Sequence, residues 1–446
     1  MLTKIYRALL EGKFFRKTQN YLQRAFKKIL SIIDFQLGRP IRYFYVKNKE
    51  IVPNRIVFSA VDDRYDCNPK YITEEILRRG LPYEIIWIQK KSNQKAPEIY
   101  PSKIQVVQRE TVEAIDALAT SKIWIENELK FLKPYLVHKK KGQVYIQTWH
   151  GSMGFKKIGR ANLYNQTGRK KRFITKVAKR CDEATDYCIS NSQFETDVFR
   201  EGYWDHTPIL MLGHARNDIL LSKDEEQLRA VREKVLTFYG LMPDIPSDFE
   251  KLSQEKKEEI INKRREVMET KYLLYAPTYR TGLSLQYFDI DFSRLIQAME
   301  NRFGGVWKII LRYHLHNRNI GEQLASSPLF INATNYADMQ ELLSMADAGI
   351  SDYSSWLCDY VLTGRPAYIY AGDYEQYAND RGFYYPLETT PFPIARNNDE
   401  LEKAILEFDS DKYREGCKKF LQDRGCIEDG QATRKIVDEI EKWMQE

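Results

Sequence analysis

Several short motifs in the sequence combine residues that can move a proton or bind phosphate. The first spans residues 147–152 (QTWHGS), where His150 is followed by Gly151 and Ser152. With a reference pKa of about 6.5, histidine is suited to proton transfer at neutral pH, and glycine lets a backbone approach a ligand closely. The motif predicts either a general base beside a substrate or a structural histidine in a basic loop.

A second motif, residues 352–355 (DYSS), lies between a predicted strand and a helix predicted over residues 354–363. Helix N-termini offer N–H groups and the positive end of the helix dipole, both of which bind phosphate. Ser354 is a good N-cap residue, and Ser354 and Ser355 add hydroxyl donors. Asp359, further along the helix, could accept a hydrogen bond from a sugar or polyol hydroxyl. The alternative is that Ser354 only caps the helix.

Three further motifs follow predicted strands. Arg312 and His314 project from the same side of a strand end and could grip one phosphate. His316 lies on that side too, so the spacing does not decide which histidine is used. Residues 275–280 (YAPTYR) add a hydroxyl and a guanidinium, and residues 213–218 (GHARND) follow the last strand of the first half. Each of these motifs has an alternative explanation as a turn.

The elements that must position these motifs alternate between short β-rich runs and helical patterns. In the first half, strands are predicted at residues 54–60, 83–89, 122–127, 144–149 and 187–191, and helices at 69–79, 111–120 and 193–200. In the second half, strands are predicted at 272–276, 306–312, 329–332, 348–351 and 366–370, and helices at 292–302, 338–345 and 354–363. This alternation predicts parallel α/β sheets, whose ligands bind at the carboxyl ends of strands.

A chain of 446 residues is too long for one ordinary domain. We expect basic amphipathic helices at 1–50, a Rossmann-like domain at 51–221, a helical connector or insertion at 222–271, a second Rossmann-like domain at 272–398 and C-terminal helices at 399–446. The predicted fold class is therefore α/β, with two Rossmann-like domains that face a cleft.

Basic residues are concentrated in two parts of the chain. Residues 1–50 hold twelve Lys or Arg against three acidic residues, a net charge of +9, whereas the whole chain carries +7. Their amphipathic pattern is typical of a helix on an anionic membrane surface; the alternative is a helical hairpin packed on the body with a solvated basic face. Residues 129–181 hold fifteen Lys or Arg and no Asp or Glu, which predicts a positive field for an anionic substrate or polymer.

Other kinds of site have little support in the sequence. The six cysteines show no CxxC pairing and no histidine at metal-ligand spacing, which favours a reduced compartment. No DxD-type pair lies in a strand-end loop, so we expect no metal, and no cofactor or nucleic-acid partner is predicted either. No apolar run reaches the ~18 residues that span a bilayer.

Taken in order, these segments resemble the CDP-glycerol glycerophosphotransferase family, the primases and polymerases of teichoic acid. The matching stretches are residues 148–151 with 156–159, 213–218, 275–280, 312–314, 352–360 and 382–384. The resemblance covers about residues 54–390, and six motifs in order make a chance match improbable.

The resemblance implies a GT-B-like fold, with the acceptor bound by residues 51–221 and the CDP-activated donor by residues 272–398. It implies catalytic roles for His150, as general base, and for His314. The residues implied in substrate binding are Gly151, Ser152, Arg216, Pro277, Thr278, Arg280, Arg312, Ser354, Ser355 and Asp359. It also implies a peripheral protein on the cytoplasmic face of the cell membrane, acting on a lipid-linked polyol-phosphate or glycan acceptor.

One departure from the family pattern bears on the substrate. Family members usually have Thr-Pro after the His-Gly pair, whereas this chain has Ser152 and Met153. Methionine replaces a rigid turn with a flexible apolar side chain near the reacting centre. This departure concerns the identity of the acceptor or polyol and not the general chemistry. From the resemblance we expect transfer of glycerol phosphate from CDP-glycerol with release of CMP. The alternatives are CDP-ribitol as the donor, or a nucleotide-sugar glycosyltransferase on the same fold.

Overall fold

A computed structural model describes residues 2–10, 38–61, 64–90, 100–129, 131, 137–163, 168–278, 289–313, 329–374 and 382–446. The predicted His314, Arg280 and the amphipathic pattern within residues 11–37 lie outside these ranges.

Seven parallel strands form the sheet of the first domain. They are β1 Val52–Ser59, β2 Glu84–Gln89, β3 Ile104–Gln108, β4 Ser121–Glu126, β5 Val144–Gln147, β6 Tyr187–Ser190 and β7 Ile209–Met211. The spatial order is β3-β2-β1-β4-β5-β6-β7, so the direction of winding reverses between β1 and β4. Because helices cover both faces, the carboxyl-terminal halves of the central strands β1 and β4 are fully buried.

Six parallel strands form the second sheet. They are β8 Lys271–Tyr275, β9 Trp307–Leu311, β10 Phe330–Asn332, β11 Ala348–Ser351, β12 Ala367–Tyr370 and β13 Ile394–Ala395. Their order is β10-β9-β8-β11-β12-β13, with the reversal between β8 and β11. Each sheet therefore has one topological switch point, the position at which open α/β sheets bind ligands.

Helices cover the sheets and connect the two domains. Those of the first half are α1 Leu2–Leu10, α2 over 38–47, α3 Cys67–Arg78, α4 Val112–Thr120, α5 Gly168–Ala184 and α6 Gln193–Gly202. Two helices lie between the domains, α7 Glu225–Phe238 and α8 Gln254–Glu269. The second half has α9 Phe292–Phe303, α10 Met339–Met345, α11 Trp356–Tyr360, α12 Asn398–Leu406, α13 Ser410–Asp423 and α14 Ala432–Gln445. Short 3₁₀ helices span Gly159–Leu163, Ala215–Leu220, Phe249–Lys251, Val361–Thr363 and Leu387–Thr389.

The last three helices divide between the two domains. Leu401 and Ile405 of α12 and Phe420 of α13 belong to the core of the second sheet. Ile436 and Ile440 of α14 belong instead to a core of the first sheet, beside β1 and β4. The chain thus returns to its first domain after it has completed the second.

The predicted class, two parallel α/β domains, is confirmed, and the structure refines several elements. Three strands were not predicted, β3, β7 and β13. All three lie at sheet edges and are short, with five, three and two residues, so none forms a conspicuous apolar run. The predicted helix over 354–363 is shorter: it begins at Trp356 and becomes a 3₁₀ turn at Val361. In the part of the chain that the structure describes, no helix is both long and apolar enough to cross a membrane.

Candidate active site

A cleft of about 320 Å³ lies where the carboxyl ends of the two sheets face each other. The first domain contributes Val61, Arg64, Asp66, Cys67, His150 and Arg216. The second contributes Ala276, Pro277, Thr278, Arg312, Tyr313, Met339, Gln340, Ser354, Ser355, Trp356 and Asp359. Most of these residues follow strands beside the two switch points, so the sheet topology places the cleft.

His150 lies in the loop that follows β5, and its exposed ring is held in a defined orientation. Its Nδ1 is 2.5 Å from the carbonyl oxygen of Asn127, the residue after β4. A carbonyl oxygen only accepts, so Nδ1 carries the proton and Nε2 is the acceptor nitrogen of the neutral ring. The ring also stacks on Trp149 with centroids 4.6 Å apart. In its neutral form this tautomer leaves Nε2 as the acceptor nitrogen, which is what a general base requires.

Backbone strain is concentrated around the same loop. Trp149 and Met153, on either side of the His150 turn, have φ of +52° and +38°, and Cys67 in the cleft has φ of +56°. Non-glycine residues seldom adopt such angles, each at a cost of about 1–3 kcal/mol, and they cluster at functional sites. Gly151 itself has no such φ, but a side chain there would lie 3.6 Å from the Ser355 hydroxyl of the other domain.

Arg64 and Arg312 bring two positive charges together from opposite domains. The Nη1 of Arg312 donates to the Tyr336 carbonyl oxygen at 2.7 Å, and the Nη1 of Arg64 donates to the same oxygen at 3.1 Å. Neither forms an ion pair with a carboxylate of the described residues. Burial, together with the neighbouring Arg64 charge, lowers the pKa of Arg312 to about 10. An anion between the two guanidinium groups would relieve this repulsion.

Arg216, unlike Arg64 and Arg312, forms an ion pair with a carboxylate of the described residues. Its Nε and Nη2 donate to the two oxygens of Asp359 at 3.2 and 3.1 Å, across the domain boundary. Asp359 also accepts from Asn217 and from Gln340, at 3.1 and 3.0 Å. Burial alone would raise the pKa of Asp359, but the Arg216 charge outweighs it and the pKa is lowered. These contacts join the domains and leave little capacity for a ligand.

Ser152 belongs to this buried network and not to the wall of the cleft. It is 0 % exposed, and its hydroxyl accepts from Arg216 at 3.1 Å and from Asn191 at 3.1 Å. Ser152 is not among the residues that line the cleft, and its expected substrate contact stays a prediction. Met153, which follows it, is also buried, and its carbonyl oxygen accepts from the Tyr385 hydroxyl at 2.5 Å.

Glu428 also belongs to this buried network. Its Oε1 accepts from the Asn191 side chain at 3.1 Å, the His214 backbone N–H at 3.1 Å and the Asn217 side chain at 2.9 Å. Its Oε2 is buried and meets no hydrogen-bond donor among the described residues. Burial raises the pKa of Glu428 to about 7, so this carboxyl group titrates near neutral pH.

Two loops of the second domain complete the cleft. Thr278, after β8, donates from its N–H and its hydroxyl to Asp352 at 2.8 and 2.5 Å, so the loops after β8 and β11 are tied together. Ser354 and Ser355 follow Asp352, and both line the cleft. Ser355, not Ser354, is the N-cap residue, and its side chain makes no capping hydrogen bond. Neither hydroxyl group therefore caps the helix.

The structure brings His150, Arg216, Pro277, Thr278, Arg312, Ser354, Ser355 and Asp359 to one cleft. Sequence reasoning missed Arg64 and Asp66, which stand in the loop after β1. That loop carries no recognisable motif. However, β1 lies at the switch point of its sheet, and a correct prediction of the strand order would have indicated that residues after β1 line the cleft. Among the described residues, no three His, Cys, Asp or Glu side chains are grouped to hold a metal ion.

A second cavity of about 200 Å³ adjoins the cleft, and His150 and Ser355 line both spaces. Its walls are mostly aromatic and aliphatic, and they include Trp149, Phe155, Ile158, Phe194, Val198 and Phe199. Gly151, Lys156 and Glu195 also line it. The Glu195 carboxylate is already used, since it lies 2.8 Å from His214 Nε2 and accepts from the Asn191 N–H at 2.9 Å.

Comparison with known proteins adds a family match over most of the chain. The family model described as CDP-Glycerol:Poly(glycerophosphate) glycerophosphotransferase matches residues 41–239 and 247–442. The matched residues include every described residue of the cleft.

Relatives of known name agree with that match. A teichoic acid poly(glycerol phosphate) polymerase of Staphylococcus epidermidis is 27% identical over 449 residues, which are 96% of this chain and 56% of the relative. A polymerase of the same name from Bacillus spizizenii is 24% identical over 446 residues, covering 97% of this chain and 100% of the relative. The chain thus spans about half the length of one relative and the whole of the other.

A solved structure of the wall teichoic acid polymerase TagF superposes with a TM-score of 0.73 at 26% sequence identity. The match covers 96% of this chain and 99% of that chain. The two-domain, GT-B-like arrangement that the family resemblance implies is therefore confirmed.

Proposed function

Because the chain belongs to the CDP-glycerol:poly(glycerophosphate) glycerophosphotransferase family, a family of transferases, we propose that it transfers glycerol phosphate from CDP-glycerol to a polymer hydroxyl and releases CMP. The acceptor would be a membrane-linked polymer of the teichoic acid or capsular type. One observation carries the proposal: a histidine oriented by a backbone carbonyl oxygen lines a single cleft between the domains, together with two guanidinium groups that form no ion pair with a carboxylate of the described residues.

The arginines would bind the pyrophosphate of the donor. Phosphoryl transfer needs positioning and neutralisation of the phosphate oxygens more than covalent assistance. Arg64 and Arg312 would supply two positive charges, while the hydroxyl groups of Ser354 and Ser355 could donate to phosphate or ribose oxygens. Arg216 would act indirectly, by holding the domains at the spacing that this ligand requires.

His150 would act as the general base. The acceptor hydroxyl oxygen forms a new bond to the β-phosphorus, and its proton passes to Nε2 of His150. The bond from the β-phosphorus to the bridging oxygen breaks, and its electron pair leaves with CMP. Asn127 holds Nδ1–H throughout, so the imidazolium that forms remains oriented by the same carbonyl oxygen.

The test is to incubate the chain with radiolabelled CDP-glycerol, CDP-ribitol and UDP-sugars and to follow the release of CMP or UDP. We expect CMP release from CDP-glycerol, and His150→Ala should lower kcat by about 10²–10⁴-fold without changing the donor Kd. His206→Ala is the matched control, because that side chain is 87% exposed and pairs with Asp182 on the surface. Undiminished turnover in His150→Ala would exclude His150 as the base.

We further propose that helices α1 and α2 contact an anionic membrane surface on its cytoplasmic side. Tyr43 and Phe44 of α2 are 50% and 61% exposed, beside exposed basic residues Arg39 and Lys47. Exposed aromatic rings next to cations suit the headgroup region of a bilayer. The opposite face of α2 packs on the first domain, where Val46 is buried, so the exposed face would be turned outward.

Vesicle sedimentation tests this contact. The double variant Tyr43→Ser, Phe44→Ser should bind vesicles rich in anionic lipid roughly tenfold less tightly than the unmodified chain. Phe238→Ser is the matched control, because that ring is equally exposed, at 61%, on α7. Equal vesicle affinity of the double variant and the unmodified chain would contradict a role for α2.

A further inference from the structure

The second cavity touches the proposed base but lies outside the set of arginines that would bind the donor. His150 and Ser355 separate it from the main cleft, whereas Arg64 and Arg312 line the main cleft alone. In an in-line transfer the nucleophile approaches opposite the leaving group. If the donor pyrophosphate lies with the arginines, the attacking hydroxyl must reach His150 from another direction, and the second cavity opens on His150.

The size of this cavity restricts what it can hold. At about 200 Å³ it is smaller than the ~300–1,000 Å³ that is usual for sites of drug-sized ligands. It could hold a three-carbon polyol with one phosphate, but not a second nucleotide. A small unit at the end of a polymer therefore fits better than a whole activated donor.

The chemistry of its walls is consistent with such a unit. Phe199 and Phe155 are 1% and 0% exposed, so they form a fixed apolar floor on which the C–H faces of a polyol can lie. Lys156 adds one positive charge to the wall, where a phosphodiester could lie. The Glu195 carboxylate is bound by His214 and by backbone, so it does not present a free negative charge to the space.

We propose that the second cavity binds the terminal polyol-phosphate unit of the acceptor polymer, with its free hydroxyl at His150 and its phosphodiester at Lys156. The inference rests on the proposed function, because it assigns the acceptor for the same transfer. Val198 and Ile158, half-buried residues of the wall, then decide which terminal unit is accepted.

Two substitutions test the assignment in the full chain, with CDP-glycerol as donor and a short glycerol-phosphate oligomer as acceptor. Val198→Phe should fill the cavity and raise the acceptor KM roughly tenfold or more, while the donor Kd stays within about twofold. Lys156→Met should raise the acceptor KM for the oligomer about tenfold, but leave it unchanged for a neutral polyol glycoside. Lys156→Arg should retain most of the affinity.

Lys157→Met is the matched control for the charge. Lys157 is the next residue, but it lies against Gly382 and does not line the cavity, so its loss should leave the acceptor KM unchanged. If Val198→Phe fails to fold, Lys156→Met still decides the question.

The outcomes separate this inference from the proposed function. No CMP release by the unmodified chain would count against the transfer itself. Normal CMP release, with the acceptor KM of both cavity variants within twofold of the unmodified chain, would overturn the acceptor site alone. A raised donor Kd in Lys156→Met, with no change in acceptor KM, would also overturn it.

Discussion

Arg216 and Arg312 both follow strands, both line the cleft and both come from motifs of similar appearance, yet they differ in what faces them. Arg216 meets both oxygens of Asp359 and joins the two domains. Among the described residues Arg312 donates hydrogen bonds to backbone oxygens, lies beside the guanidinium of Arg64 and forms no ion pair with a carboxylate. The availability of a charge therefore depends on its opposite partner, which can lie more than a hundred residues away in sequence. An arginine in a motif is not by itself an anion site.

The largest effect on stability is expected from breaking the ion pair between Arg216 and Asp359. Asp359→Ala leaves the Arg216 guanidinium buried without a counter-charge, which should cost about 3–5 kcal/mol in the free energy of unfolding. Urea unfolding measures it. Asp423→Ala, which removes an exposed partner of Lys419, should change the free energy of unfolding by less than about 1 kcal/mol. Similar losses in both variants would mean that Asp359 does not stabilise the domain contact.

An intermediate effect is expected at Glu428, a carboxyl group of the same network that forms no ion pair with a Lys or Arg of the described residues. Its pKa rises from 4.5 to about 7 on folding, so between these values the folded state binds more protons than the unfolded state. Stability from this group is therefore present at low pH and lost as pH rises through 7, by about 2 kcal/mol between about pH 5.5 and pH 8.

The comparison of Glu428→Gln with the unmodified chain by urea unfolding isolates this contribution. Glutamine keeps the Oε1 acceptor for Asn191, His214 and Asn217 but does not titrate. The variant should lose most of the pH dependence that Glu428 contributes in this window. An unchanged slope of unfolding free energy against pH would assign the dependence to other groups.

Substitution of Arg64 or Arg312, which have no carboxylate partner among the described residues, should have the smallest effect on stability but a clear effect on donor binding. Arg64→Ala and Arg312→Ala should each weaken CDP-glycerol binding roughly tenfold, because each removes a charge-assisted hydrogen bond to phosphate. Isothermal titration gives the donor Kd. Because the two cations repel each other, unfolding free energy should fall by no more than about 1 kcal/mol.

Arg414→Ala serves as the control for net charge, since this exposed arginine pairs with Asp411 far from the cleft motifs in α13. Its donor Kd should match that of the unmodified chain. A donor Kd unaffected by either Arg64 or Arg312 would remove the distinction between the two kinds of arginine.

The sequence was sufficient for most strands and for the location of the motifs, for a simple physical reason. A strand buried on both faces must be almost entirely apolar, so runs such as those at β2 and β9 are conspicuous, and the polar residues after them must lie at the sheet edge. The same reasoning fails at β13, which has only two residues.

The roles of individual cleft residues depended on contacts that sequence patterns do not contain. Nothing near Asp359 indicates that Arg216, 143 residues earlier, will occupy it. Ser152 follows the histidine motif yet is buried, because its hydroxyl accepts hydrogen bonds from Arg216 and Asn191, which lie far from it in sequence. The proximity of Arg64 to Arg312 follows only from the three-dimensional structure, in which the loops after β1 and β9 face each other across the cleft.

The return of α14 to the first sheet affects how this protein can be made. Ile436, Ile440 and Trp443 fill a core whose other members end at about residue 215, so the first domain lacks part of its interior until α14 has been synthesised. At ~5–20 residues per second, a ribosome needs tens of seconds for roughly 220 intervening residues. Throughout that interval an apolar surface on the nascent chain stays uncovered. A chain that stops before Ile436 would leave that surface uncovered.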